Sequence, residues 1–315
     1  MTNPTSESTY QAVQYDQFGG TDVYYIANRP LNAPAPNQVR VRVKAAGINP
    51  GETTIRNGTF AQQFPSTFPS GQGSDLAGVV DAIGADVDSF RVGDEVIGFT
   101  NDRNSQAQYI LIDPSQLVMR PANVSWEQAG SLFVAGTTAY AGVDVLGLKP
   151  GEVVVISGAA GGVGALAVQL AKRTGAEVIG LASPANHDWL RQKGVTPVAY
   201  GDDTEQALRD ALQGRPVAAF FDTFGNGYVE LALKLGVPTG RINTIIDFAA
   251  AAKYGVNTAG NHAGATADVL RRLAGLVSDG SLELIVDRTY PMAQVKDAYD
   301  ELARRHTHGK IVLLP

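Results

Sequence analysis

The run Val153-Val154-Val155-Ile156 is apolar throughout and breaks at once into Ser157-Gly158-Ala159-Ala160-Gly161-Gly162-Val163-Gly164, after which Ala165–Lys172 reads as an Ala-rich helix. A buried strand, a glycine turn and a helix in succession form a cradle for a dinucleotide pyrophosphate. Glycines let the backbone turn tightly and approach the phosphates, whose charge meets the free N–H groups and positive dipole at the helix start. Ala160, Gly161, Gly162 and Val163 are the candidate contacts. A second apolar run at Glu177–Ala182 supplies the next strand, and that context separates the motif from a flexible glycine loop.

A chain of 315 residues has room for two domains of ordinary size, each with its own core. Hydrophobic content of 44% with 18% charged residues excludes the disordered classes. The net charge of −6 and the scattered basic residues leave no footprint for nucleic acid or an anionic membrane. Cysteine is absent, so there is no disulfide, thiol nucleophile or cysteine-ligated zinc. Met1–Ser8 is polar without a signal pattern, and no apolar run approaches the ~20 residues that span a bilayer. A cytoplasmic location is the expectation.

From about Tyr10 to Asp113 the chain is strand-like and punctuated by turns. Gln38–Lys44 alternates polar and apolar with period two, and Ala77–Gly84 and Gly93–Phe99 continue the pattern. The texture changes at Ser125-Trp126-Glu127-Gln128, a helix cap with an acidic first turn, followed by helical sequence to about Leu148. Strands and helices then alternate through Pro197–Tyr200, Val217–Asp222 and Arg241–Ile246, which implies a parallel, helix-covered sheet. The closing segment reads as a helix at about Thr266–Ser278, a strand at Leu282–Val286, a helix at about Ala293–Arg304 and a strand at Lys310–Leu314. No internal repeat is evident.

Several motifs carry a resemblance along nearly the whole chain. They are Gly47-Ile48-Asn49-Pro50-Gly51-Glu52 with Arg56-Asn57-Gly58, Gly73-Ser74-Asp75-Leu76-Ala77-Gly78, Val92–Val96, Gly136–Tyr140, the cradle, and Gly309-Lys310-Ile311-Val312. Jointly they resemble the zinc-independent, zeta-crystallin-like quinone oxidoreductases of the medium-chain dehydrogenase/reductase superfamily. The resemblance implies an α/β protein with a GroES-like β-rich catalytic domain (1–127 and the return segment 263–315) and an inserted Rossmann domain with a doubly wound parallel sheet (128–262). It also implies a cofactor cleft between the domains and a homodimer formed through the Rossmann sheet.

The superfamily's zinc alcohol dehydrogenases carry a Cys where this chain has Asn49 and a His-Glu pair where it has Ser74-Asp75. The ligands are lost, so no metal is expected. His306 and His308, one residue apart near the end, read as solvated surface.

NADPH is the expected cofactor. The second Rossmann strand ends in Ala182-Ser183-Pro184-Ala185-Asn186-His187, without the acidic residue that would take the ribose hydroxyls and repel a 2′-phosphate. Ser183 and Asn186 can donate to that phosphate, and relatives use this serine and the tyrosine matching Tyr200. The plainer reading is that Ser183 starts a turn before Pro184 and His187 caps the next helix. By resemblance, Asn49 faces the nicotinamide, its amide bonding a ribose hydroxyl or substrate oxygen; alone it is also an ordinary turn residue before Pro50. Thr138, Thr223 and Phe224 are cofactor contacts by the same resemblance, although Thr138 equally reads as a helix threonine bonded to its own backbone.

Relatives have tyrosines where this chain has Thr54 and Phe60, so a phenolic proton donor is not expected there. Glu52, Thr54 and Arg56 stay catalytic candidates beside Asn49, with water as the alternative proton source; Glu52 and Arg56 also read as a charged pair bracing the loop. Phe60, Phe64 and Phe68 either wall a flat apolar substrate or belong to the core. The expected activity is hydride transfer from NADPH to a quinone or to the β-carbon of an α,β-unsaturated carbonyl. The alternative is an NADPH-binding protein with vestigial reductase activity.

Overall fold

The computed structural model describes residues 8–315, so nearly all of the polar N-terminal stretch, residues 1–7, lies outside the described residues. The chain divides into two compact units. One holds the residues up to Val134 with Thr266–Ser278 and Val286–Pro315; the other holds Ala135–Ala265 and Asp279–Ile285.

The first unit begins with β1 (Thr9–Tyr15), β2 (Tyr25–Pro30), β3 (Val39–Gly47), helix α1 (Pro50–Arg56), β4 (Ser70–Gly71), β5 (Asp75–Ile83), β6 (Glu95–Phe99), β7 (Tyr109–Ile112), β8 (Leu117–Met119) and helix α2 (Trp126–Ala129). β1 pairs antiparallel with β2 and β4, while β3 pairs antiparallel with β5 and β7, and β5 continues through β6 to β8. The period-two expectation holds on β3. Val39, Val41 and Val43 are buried and Arg42 is exposed, so a slip of one residue would turn the valines out of the core. Their core is completed by Leu76, Val80, Val96 and Ile110. Ser125 caps α2 reciprocally with Gln128, as its sequence predicts.

The second unit takes in most of α3 (Phe133–Asp144), then β9 (Val153–Ile156), α4 (Gly164–Arg173), β10 (Glu177–Leu181), α5 (His187–Gln192), β11 (Thr196–Val198), α6 (Thr204–Leu212), β12 (Ala219–Asp222), α7 (Tyr228–Lys234), β13 (Ile242–Thr244), α8 (Phe248–Tyr254) and α9 (Asn261–Gly264). Its five strands are parallel in the order β11-β10-β9-β12-β13, with helices in the crossovers. This is a Rossmann order, in which the chain reverses direction across the sheet between β9 and β12. All four residues of β9 and of β12 are buried, as strands covered on both faces should be.

The chain returns to the first unit through α10 (Ala267–Ser278), β14 (Val286–Pro291), α11 (Val295–Ala303) and β15 (Lys310–Leu314). β15 pairs antiparallel with β3 and parallel with β14. The expected strand at Leu282–Val286 is not formed, and β14 starts where it should have ended. The reason is local: Gln169 of α4 accepts from the Glu283 N–H at 2.8 Å and donates to the Glu283 carbonyl at 2.9 Å, so a side chain satisfies backbone groups that would otherwise need a ladder. The first divide falls at 134/135 rather than at the expected 127/128. α2 packs on β3 and β5, and the Gly47 N–H donates to the Gly130 carbonyl at 2.6 Å, which ties the segment after Ser125 to the β unit. Among the described residues no helix is long and apolar enough to cross a membrane.

Candidate active site

α1 follows β3 after a two-residue step, and it starts as a capped helix should: Asn49 is the extended N-cap, Pro50 stands at the first position and Glu52 reaches back to the Asn49 N–H at 2.9 Å. This local geometry buries Asn49, Glu52 and Arg56 together. β5 opens beside them with Asp75, fully buried, and β15 opens with Lys310, 4% exposed. Four ionisable side chains in one interior demand partners, since removing one partner of a buried pair costs about 3–5 kcal/mol.

The Asn49 amide joins them. Its Nδ2 donates to Asp75 Oδ2 at 2.8 Å and to Glu52 Oε1 at 3.2 Å, while its Oδ1 accepts from Lys310 Nζ. Lys310 Nζ also donates to the Ile48 carbonyl at 2.8 Å and lies 3.9 Å from Asp75 Oδ2. Asp75 Oδ1 accepts from the Val134 N–H at 2.7 Å. Glu52 Oε2 accepts from the Tyr299 hydroxyl, which itself accepts from Gln106 Nε2 at 2.7 Å and Gln72 Nε2 at 3.1 Å. Burial raises the Glu52 and Asp75 carboxyls above their ordinary range, with Lys310 opposing the shift at Asp75, and it lowers the Lys310 ammonium. Burial also raises the Tyr299 phenol well above its ordinary value.

Both Nδ2 hydrogens of Asn49 are thus engaged. What its amide still offers a ligand is one lone pair on Oδ1, which suits a donating ribose hydroxyl and not a substrate oxygen that needs a donor. The expected Glu52–Arg56 brace is not formed, because Glu52 already has its donors. Arg56 Nε donates to the Gly19 carbonyl at 3.2 Å and the guanidinium lies over the Tyr24 ring at 4.8 Å. Thr54 Oγ1 donates to the Gly51 carbonyl at 2.7 Å, a helix hydroxyl bound to its own backbone. Phe64 and Phe68 are 51% and 39% exposed, so this loop is not core. Phe68 nonetheless packs edge-on against Tyr15 and Phe18.

The second unit carries the cradle. Gly158 has φ +56°, and a Cβ on Gly164 would stand 2.0 Å from the Gly158 carbonyl oxygen, so these two glycines close the turn. Gly161 differs: a Cβ there would meet only that same oxygen, at 3.3 Å. The turn leaves this direction open next to the α4 N-terminus, which fits a phosphate group. Asp222, fully buried at the end of β12, accepts from Ser157 Oγ, from the Phe224 and Gly225 N–H groups and from Thr244 Oγ1, which pins the turn after β12 to β9 and β13. Thr223 Oγ1 donates to the Ser157 carbonyl at 2.7 Å.

Ser183 follows β10 and precedes a short 3-10 turn, and its Oγ accepts from Asn186 Nδ2 at 3.1 Å. The serine keeps its own hydrogen to donate. Tyr200, 43% exposed, stacks on Phe224 with centroids 6.3 Å apart. Thr138 is buried in α3, and a Cβ on Gly260 would lie 3.7 Å from its Cγ2.

Sequence reasoning passed over Tyr299, Gln106 and the part played by Lys310. A lone lysine before Ile311-Val312-Leu313 in an apolar strand was the available signal. Tyr299 sits with Val295, Ala298 and Leu302 on the apolar stripe of α11, where it reads as core.

A mostly antiparallel GroES-like β unit and a Rossmann unit with a glycine turn, built from one chain, define the medium-chain dehydrogenases/reductases, a class of oxidoreductases. Residues 35–131 match the family model of the alcohol dehydrogenase GroES-like domain and residues 193–313 that of the zinc-binding dehydrogenases. The quinone oxidoreductase of Pseudomonas aeruginosa is 30% identical over 96% of this chain and 99% of its own. The chloroplastic NADPH-dependent alkenal/one oxidoreductase of Arabidopsis thaliana is 28% identical over 96% of this chain and 78% of its own. The crystal structure of the Escherichia coli quinone oxidoreductase complexed with NADPH aligns with a TM-score of 0.84 at 25% identity, covering 97% of this chain and 100% of that one. The chain belongs to the quinone oxidoreductase family of the medium-chain dehydrogenase/reductase superfamily. Among the described residues no group of three or more His, Cys, Asp or Glu is arranged to hold a metal.

Proposed function

We propose that this protein is an NADPH-dependent reductase that delivers hydride to a quinone or to the β-carbon of an α,β-unsaturated carbonyl without a metal. The observation that carries this reading is the glycine turn, whose Gly161 leaves room beside the α4 N-terminus that the fold itself does not use. Ala160, Gly161, Gly162 and Val163 would hold the pyrophosphate. Ser183, Asn186 and Tyr200 would meet the 2′-phosphate, and Thr138, Thr223 and Phe224 would line the nicotinamide half. NADPH supplies the hydride. Asn49 would accept a ribose hydroxyl through Oδ1, and Glu52 and Arg56 would hold the α1 region in shape. Thr54 spends its hydrogen on Gly51, so the final proton is assigned to water. Positioning alone can supply up to about 7–11 kcal/mol of barrier reduction. The test is NADPH consumption over a panel of quinones and enones, and a protein that consumes NADPH with neither class would refute the reading.

A second reading, an NADPH-binding protein with vestigial turnover, draws on the inward hydrogen bonding of Asn49, Glu52 and Thr54, which leaves none of the three a hydrogen to give. Tight NADPH binding with no turnover on that panel would select it.

A further inference from the structure

Three oxygens surround Lys310 Nζ. The Ile48 carbonyl lies 2.8 Å away, Asn49 Oδ1 accepts a hydrogen bond, and Asp75 Oδ2 stands at 3.9 Å, with all three residues buried. Lysine has only donors and a carboxylate only acceptors, so the ammonium can face only Asn49 Oδ1, and Asp75 and Glu52 can face only Nδ2. One of the two amide orientations is thereby selected, and the selection comes from β15, a strand at the other end of the chain. An aspartate at position 49 would set three carboxylates against one ammonium, and a leucine would take one acceptor from Lys310 and one donor each from Asp75 and Glu52. We propose that the Lys310 ammonium is a covalently attached cation occupying this oxygen site, and that it is a positioning residue for the reduction, holding the Asn49 amide in one orientation with Oδ1 on the ammonium. The positioning part rests on the reductase reading above; the cation site does not.

The test is chemical rescue. Lys310→Ala removes the equivalent of one n-propylammonium ion. The variant should melt well below the wild type and lose kcat by about tenfold or more, while NADPH affinity changes by less than about threefold. Added n-propylammonium should raise both its melting temperature and its kcat, and 1-propanol at equal concentration should raise neither. Because Lys310→Ala leaves Asp75 uncompensated and can fail to fold, the neutral double variant Lys310→Met/Asp75→Asn is measured beside it. That protein should fold and stay slow, since no ammonium fixes Asn49. Wild-type kcat in the double variant, or rescue by propanol as well as by the amine, would overturn the inference. If the wild type itself consumes no NADPH with the panel, the reductase reading fails, and amine-specific recovery of the melting temperature still decides the cation site.

Discussion

At the residue level, the proposed preference for NADPH rests on Ser183, whose hydroxyl accepts from Asn186 and retains its hydrogen. Ser183→Asp should convert the preference from NADPH to NADH, read by titration calorimetry with each cofactor; equal affinities in the wild type would contradict the assignment. Glu52 makes a second prediction. Burial holds its carboxyl above the ordinary 4.5, so the unfolded chain releases this proton first. The native state therefore loses stability as pH rises from about 4.5 through the folded pKa. Glu52→Gln lacks that loss, and its melting temperature minus that of the wild type should climb as the pH rises above about 4.5. A difference independent of pH would show that Glu52 is not raised. Asn49 and Glu52 were legible as candidates because a motif named their positions, whereas Asp75 reads only as a lost zinc-ligand position. Their saturation was not, because Lys310 and Tyr299 reach them from more than two hundred residues downstream.

At the level of elements, strand periodicity and caps carried most of the information. β3 and α2 follow directly from alternation and from the Ser125–Gln128 box. The misplaced strand at Leu282–Val286 has a physical source: Leu282 and Leu284 are buried, but a single Gln169 side chain replaces the pairing that apolarity suggested. The cradle yields a sharper prediction, since its glycines differ in purpose. Gly164→Ala places a Cβ 2.0 Å from the Gly158 oxygen and should lower the melting temperature markedly. Gly161→Ala, with a single contact at 3.3 Å, should fold nearly as the wild type does and lose NADPH affinity. Thermal unfolding and calorimetry on both variants read the contrast, and a Gly161→Ala protein that binds NADPH normally would place the pyrophosphate elsewhere.

At the scale of the whole molecule, the β unit holds the buried polar cluster and the Rossmann unit the glycine turn. β13 is an edge strand of the parallel sheet, and the family resemblance implies pairing of two copies through that sheet. Light scattering should therefore give the mass of a dimer; a wild-type monomer would contradict this. The reductase activity proposed above requires hydride to leave NADPH from one fixed face of the nicotinamide. The direct measurement uses NADPH deuterated on one or the other face of its nicotinamide C4, followed through turnover with an accepted quinone or enone. Deuterium should leave the oxidised cofactor from one face only; loss from both faces equally, or none with any acceptor, would contradict the account.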